Sequence, residues 1–297
     1  MLNKGIPENA QVLQKSVMLA GSQLIHGQSA VVGHLQNLFQ EACKVGIVSN
    51  DVVDQLMGQT SLHTRASARI AAIIIASNFN IMGTYIGKLL TMIQNQGTSD
   101  NDKVKATLCL GEIGIFKDLS QIQNLIETIS GMFQHSHDQI KQAAAISLGS
   151  VSIGNTGFFL DKVFKLIASC APKEKYMFLS TIREIIINKP ECLENYISTL
   201  MPLYLSLSNS EDESIRNIVS ESIGKLFIIH PRQITDPLRQ ALVSNNVMTV
   251  SCCARSFKYS AHNNKNPQCF KEFVAILCEL VSKNDLAVKK NALESLG

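Results

Sequence analysis

The chain lacks the features that mark several classes of protein. Its 297 residues contain no run of five like charges, and 27 basic against 24 acidic residues leave a net charge of only +3. Nucleic-acid binders usually carry a clustered basic surface, so this balance argues against a nucleic-acid partner. There is no apolar core of a secretory signal near the N-terminus, and no apolar run free of residues that are costly in hydrocarbon. We therefore expect a cytoplasmic and nuclear protein without a membrane partner.

Signs of disulfide, metal or nucleophile chemistry are also sparse. The eight cysteines include no CxxC pair and are scattered through apolar helical patterns, which favours free thiols in a reducing compartment. Cys252-Cys253 has no histidine or acid beside it in sequence, so buried thiols are favoured over a nucleophile. His135 and His137 are two residues apart without a nearby third ligand, which favours turn residues over a metal site. We therefore expect no catalytic residue, no cofactor and no metal.

Helical periodicity is present almost everywhere, and no convincing strand alternation appears, so the predicted fold class is all-α. One stripe consists of Ile122, Leu125, Ile126, Ile129 and Phe133. Prolines fall mostly where helices should begin or end. Pro237, after Thr235-Asp236, predicts a helix start, and Pro202, inside an apolar run, predicts a kink.

Four segments repeat one pattern, in which a basic residue lies eight positions before a helical glycine and an acid lies just upstream. The basic residue and glycine are Lys103 and Gly111, Lys141 and Gly149, Arg216 and Gly224, and Lys289 and Gly297. The acids are Asp100 or Asp102, Asp138, Asp212 or Glu213, and Asp285. Weaker copies put Arg183 and Lys258 at the glycine position, which makes the successive spacings 38, 34, 41, 34 and 39 residues.

This period of about 37 residues is typical of HEAT-like helical hairpins. It predicts a single α-α superhelix over residues 1–297, built from seven to eight hairpins. Residues 1–50 would form a divergent repeat and residues 51–297 the regular ones.

The recurring charges have two interpretations. In the first, each acid caps the second helix of its repeat and pairs with a base of the neighbouring repeat, while the glycine permits close helix packing. The residues of this structural ladder are Lys103, Asp138, Lys141, Arg216, Asp285 and Lys289, and the repeat glycines are Gly111, Gly149 and Gly224. In the second, they contact a partner, because second helices line the concave face of a HEAT array. The candidates for partner contact are Arg216, Asn217, Glu221 and Lys225.

Several of these segments resemble a known family. They are "LGEIG" at 110–114, "LGSVSIGN" at 148–155, "KYMFLSTIREII" at 175–186 and "RNIVSESIGKL" at 216–226, which His230-Pro231 follows. In this order they are similar to the C-terminal half of the cullin-associated, neddylation-dissociated family, which are long HEAT-repeat regulators of cullin-RING ubiquitin ligases.

The resemblance implies a non-enzymatic scaffold that binds unneddylated cullin and its RING subunit and so lets substrate receptors exchange. It also implies that the chain is a fragment of a longer array without the family's adaptor-blocking β-hairpin. Terminal repeats would then leave apolar faces that favour end-to-end packing. The alternative is another HEAT scaffold, such as a nuclear-transport receptor or a phosphatase scaffold. No small-molecule substrate is expected, because no nucleophile, base and oxyanion constellation can be assembled.

Overall fold

A computed structural model of the chain describes Asn37, Glu41 and residues 50–58, 64–261 and 267–297. Within these ranges the regular structure is helical and contains no strand, which confirms the all-α prediction. Most of the expected divergent repeat at 1–50 lies outside the described residues. None of the described helices has the length and hydrophobicity needed to cross a bilayer.

Fourteen α-helices follow one another in the described ranges. They are α1 Asn50–Gly58, α2 Thr64–Ser77, α3 Phe79–Gln94, α4 Asp100–Phe116, α5 Leu125–Gly131, α6 Asp138–Gly154, α7 Thr156–Ser169, α8 Pro172–Asn188, α9 Ile197–Leu207, α10 Glu213–Ile229, α11 Pro231–Leu242, α12 Val247–Ala261, α13 Lys271–Val281 and α14 Leu286–Leu296. Short 3-10 helices at Met132–Gln134, Pro190–Tyr196 and Pro267–Phe270 precede α6, α9 and α13.

The helices form the hairpins of a HEAT-like array. The chain divides into two compact units at a boundary within α7, where the first unit ends at Val163 and the second begins at Phe164. In the first unit α1 packs on α2, α3 on α4 and α5 on α6, while the second helices α2, α4 and α6 pack side by side. In the second unit α9 packs on α10, α11 on α12 and α13 on α14, and α8, α10, α12 and α14 form the row of second helices. That 1–297 is a single array stays a prediction.

Polar residues set the starts of several second helices. The side chains of Ser99, Asp212 and Asp285 accept backbone N–H groups at the starts of α4, α10 and α14. Each satisfies a donor that the helix itself leaves unpaired. The helix start predicted at Pro237 was wrong, because α11 begins at Pro231 and Pro237 lies inside it. Proline is well suited to the first turn, where no N–H is needed.

Aromatic rings from three helices form the core of the second unit. Phe227 of α10 lies 5.8 Å from Phe257 of α12 and 5.6 Å from Phe273 of α13, measured between ring centroids. All three side chains are almost fully buried. Because the three rings come from three different hairpins, this cluster joins consecutive repeats of the second unit.

The glycines mark the closest approaches between second helices. A Cβ added to Gly111 of α4 would lie 2.5 Å from the Cα of Ser147 on α6. At Gly224 of α10 it would lie 2.2 Å from the carbonyl oxygen of Ser256 on α12. Both neighbours are backbone atoms, which cannot move without shifting a helix. Gly149 is buried within α6.

We predict opposite effects for two Gly→Ala substitutions within the first unit. Gly111→Ala should lower the free energy of unfolding by about 1–3 kcal/mol, because the new methyl group overlaps Ser147. Gly87→Ala is the matched control, since Gly87 is helical and a methyl group added there would meet no described atom within 4 Å. It should raise stability by about 0.5–1 kcal/mol. Urea titrations followed by circular dichroism measure both, and equal effects would contradict the close-packing role.

Candidate protein-binding surface

The acid and base pairs expected between neighbouring repeats are not formed by the predicted residues. Asp138 lies at the start of α6, and its carboxylate accepts a hydrogen bond at 2.9 Å from Lys141 of the same helix. That bond holds the pKa of Asp138 below its ordinary value. Lys103 and Lys289 make no ion pair within the described ranges. The prediction of inter-repeat pairing through these residues was wrong, because a base one turn from an acid meets it more easily than a base on another helix.

Arg216 has a local structural role as well. Its Nη1 donates to the backbone oxygens of Ser210 and Glu211 at 2.5 and 2.9 Å. The guanidinium therefore fastens the loop that leads into α10, where Asp212 accepts the N–H of Ser214. Asp285 has the equivalent capping role at α14, where its carboxylate accepts the N–H of Val288 at 2.9 Å.

A different set of residues joins the second helices of the second unit. Arg183 of α8 donates to Glu221 of α10 at 2.6 Å, and Lys225 of α10 donates to the other carboxylate oxygen at 2.5 Å. Lys258 of α12 reaches Glu294 of α14 at 3.0 Å. These contacts are charge-assisted hydrogen bonds, which are stronger than neutral ones.

Amide side chains extend the same row. Arg255 of α12 donates through Nη1 to Asn217 of α10 and through Nε to Asn291 of α14, the latter at 3.1 Å. The Asn291 amide nitrogen donates in turn to the Ser251 hydroxyl at 2.7 Å. Asn291 is only 5% exposed, so its amide is fully enclosed by these partners. We call the Arg183–Glu221–Lys225, Asn217–Arg255–Asn291 and Lys258–Glu294 contacts together the polar ladder.

Ion pairing decides the charge state of Glu221. Burial alone would raise the pKa of this carboxyl, but hydrogen bonds from Arg183 and Lys225 outweigh it and hold the pKa below the ordinary 4.5. Its side chain is 18% exposed, so water screens these contacts only in part. Glu221 is therefore an ionised bridge between α8 and α10 at neutral pH.

The predicted partner contacts divide into two groups. Asn217, Glu221 and Lys225 are occupied by the polar ladder, so their hydrogen-bonding groups already serve contacts within the unit. Arg216 lies beside a groove instead and keeps donors that no described residue accepts. Of the four candidates, Arg216 has the environment best suited to an external ligand.

The groove crosses the N-terminal parts of α10, α12 and α14 and has a volume of about 310 Å³. Its lining residues are Glu213, Arg216, Ser220, Ser251, Cys252, Arg255, Ala287, Lys290 and Asn291. The Cys252 thiol lies below them, where burial raises its pKa to about 11 although Arg255 and Arg216 act in the opposite direction. This thiol is therefore protonated at neutral pH, and Arg216 and Arg255 line the same groove as Cys252.

The first unit contains a buried ionic contact of its own. Glu112 of α4 is 1% exposed, and its carboxylate accepts hydrogen bonds from Arg69 at 2.9 Å and Arg65 at 3.4 Å, both on α2. His137 lies 2.9 Å from Asp100, which links the starts of α6 and α4. Among the described residues no three histidine, cysteine or acidic side chains form a group that could hold a metal ion.

A signal for the polar ladder is present in the sequence, although the repeat pattern alone did not identify it. Arg183 and Lys258 occupy the repeat position that Gly224 and Gly297 hold in the following repeats. Each reaches a glutamate three residues before the next glycine, in the short motifs "ESIG" and "ESLG". A base in the glycine position followed one repeat later by Glu-x-x-Gly therefore predicts an inter-repeat ion pair.

This row of paired helices with a polar surface defines a helical-repeat array of the HEAT type. Sequence comparison places the chain more narrowly. It is 31% identical over 196 residues to cullin-associated NEDD8-dissociated protein 1 of Dictyostelium discoideum, covering 63% of this chain and 16% of that protein. The protein of the same name from Arabidopsis thaliana is 25% identical over 307 aligned positions, covering 99% of this chain and 25% of that protein. The chain is thus similar to the cullin-associated NEDD8-dissociated proteins and spans a quarter or less of the length of these two.

The other comparisons give no match or only a weak similarity. No protein-family model matches the chain. Among solved structures, that of Kap121p is 15% identical with a TM-score of 0.46, covering 98% of this chain and 34% of that one. An engineered protein is 16% identical with a TM-score of 0.39, covering 98% of this chain and 80% of that one.

We predict that Glu221→Gln destabilises the second unit by about 1–2 kcal/mol at neutral pH, because the amide loses the charge-assisted bonds from Arg183 and Lys225. Since the pKa of Glu221 is lowered in the folded state, its contribution is complete above pH 4.5 and declines as the pH falls below that value. The difference in the free energy of unfolding between Glu221→Gln and wild type should therefore become smaller below pH 4.5.

Urea titrations over a pH series measure this difference. Glu279→Gln is the control, because Glu279 is exposed on α13 and makes no ion pair within the described ranges. It should change stability little at any pH. A Glu221→Gln effect that grows toward low pH would contradict the assignment.

Proposed function

We propose that the chain is a segment of a non-enzymatic scaffold that binds unneddylated cullin with its RING subunit and regulates the assembly of cullin-RING ubiquitin ligases. The observation that carries this proposal is the sequence similarity, which covers 99% of the chain in the Arabidopsis thaliana relative. By their names, these relatives associate with cullins and dissociate from NEDD8. Binding and steric exclusion would be the mechanism, with no bond made or broken.

The chemistry of the described residues supports a binding role. The thiols of Cys252 and Cys253 are buried and have raised pKa values, so neither is an activated nucleophile. Polar and charged side chains of the second helices are instead arranged in rows across consecutive repeats. Such rows present a surface much larger than a small-molecule pocket, which suits a protein partner.

Attachment of NEDD8 to the cullin should reduce binding if this scaffold recognises the unmodified form. The test is a pull-down of purified cullin-RING complex by the 297-residue chain, with unmodified and NEDD8-conjugated cullin compared at equal concentration. We expect the unmodified complex to be retained preferentially. A Ran-type GTPase loaded with GTP is a third sample.

Two results would reject the proposal. Retention of neither cullin form would do so, provided that circular dichroism shows the chain to be folded. Retention of the GTPase instead of cullin would do so as well and would favour a transport-type scaffold.

A further inference from the structure

The groove across α10, α12 and α14 has an excess of positive charge. Three of its lining residues, Arg216, Arg255 and Lys290, are cationic, whereas Glu213 is the only carboxylate among them. The whole chain has a nearly balanced composition, so this excess is a local feature. Local cationic concavities attract anionic groups more strongly than isolated surface charges do.

Most of this charge is not neutralised within the unit. Arg216 donates to backbone oxygens and Arg255 to side-chain amide oxygens, and within the described ranges neither makes an ion pair with a carboxylate. Lys290 lies 3.9 Å from Glu294 with 69% of its side chain exposed, a weak contact because Glu294 also binds Lys258 at 3.0 Å. Glu294 also attracts Arg255 from beyond contact distance, but no direct ion pair among the described residues occupies either arginine, so both can still attract an outside anion.

The two arginines also keep unused donors. A guanidinium has five N–H groups. The described contacts use only Nη1 of Arg216, and only Nε and Nη1 of Arg255. Their existing hydrogen bonds hold both side chains in place, so little side-chain entropy remains to be lost when a ligand binds. Ordered arginine donors suit planar carboxylates, which accept two hydrogen bonds at once.

The arrangement of the cations selects an extended ligand. Each comes from a different second helix, and the axes of packed helices lie about 8–10 Å apart. An extended segment in the polyproline II conformation rises about 3.1 Å per residue with three residues per turn, so side chains three positions apart share one face and lie about 9 Å apart. Carboxylates spaced three residues apart would face the three cations in turn.

We propose that this groove binds an extended acidic segment of a protein partner, with its carboxylates on Arg216, Arg255 and Lys290. The proposal concerns the groove alone and does not require the partner to be a cullin. Ser251 lines the same space, and its hydroxyl, which accepts a hydrogen bond from Asn291, can donate its own hydrogen to the segment. Glu213 opposes binding and limits its strength.

The test uses fluorescence anisotropy of labelled peptides with the full 297-residue chain. One peptide carries glutamate at every third position among serine and alanine, and a second has the same composition with the glutamates adjacent. A third replaces each glutamate by glutamine. We expect the first to bind most tightly and its affinity to fall as salt is raised.

Two charge-changing variants with opposite expected effects on peptide binding make the test specific. Lys290→Glu should weaken binding of the first peptide about tenfold, equivalent to one charge-assisted hydrogen bond. Glu213→Gln should strengthen it about two- to fivefold by removing a repulsive charge. Both positions are exposed, so folding should be preserved. Lys271→Glu, an exposed charge reversal at the start of α13 and outside the groove, should leave binding unchanged.

Several outcomes would overturn the proposal. Equal binding of the glutamate and glutamine peptides would do so, as would equal effects of Lys290→Glu and Lys271→Glu. Tighter binding of a single-stranded oligonucleotide than of the acidic peptide would assign the groove to nucleic acid. Repeating the cullin pull-down with Lys290→Glu separates the two proposals, because peptide binding can fail while cullin binding persists, and the reverse.

Discussion

Close contact between neighbouring second helices is the constraint on which the rest of the structure depends. Gly111 and Gly224 bring their helices within backbone contact of Ser147 and Ser256. Small buried hydroxyl residues continue this interface, and the Ser260 hydroxyl donates to the carbonyl oxygen of Gly224 at 2.9 Å. Helices that pack this closely cannot slide along each other. Charged side chains on their outer surface are therefore held at fixed distances from one another.

The polar ladder follows from that fixed register. Arg183 and Lys258 occupy the repeat position where other repeats have glycine, and their long side chains extend over the next helix to Glu221 and Glu294. A long cation is accommodated there because its charged end reaches the protein surface while its aliphatic part packs. The same repeat position is thus occupied either by glycine or by a long basic residue. Glycine allows backbone contact between the second helices, whereas the basic residue joins them through an ion pair.

Sequence reasoning predicted the fold class, the hairpin period and the helices because these depend on local periodicity and capping. It predicted the capping roles of Asp212 and Asp285 for the same reason. It could not predict which residue each charged side chain pairs with, because pairing depends on the distances between helices. Lys141 pairs within its own helix, whereas Glu221 pairs with a residue 38 positions away. Pro237 shows the same limit, because an earlier proline had already started α11.

The division of charges between structure and binding has a physical basis. A carboxylate shared by two cations, like Glu221, has little attraction left for a partner, and breaking its contacts would cost more than a new ligand returns. Arg216 and Arg255 differ because their acceptors are neutral, which orients the guanidiniums without cancelling their charge. Orientation by neutral groups is therefore the feature that distinguishes a binding charge from a structural one on this surface. The same criterion can be applied to each second helix of a HEAT-like array, wherever an arginine is held by amides or carbonyls rather than by acids.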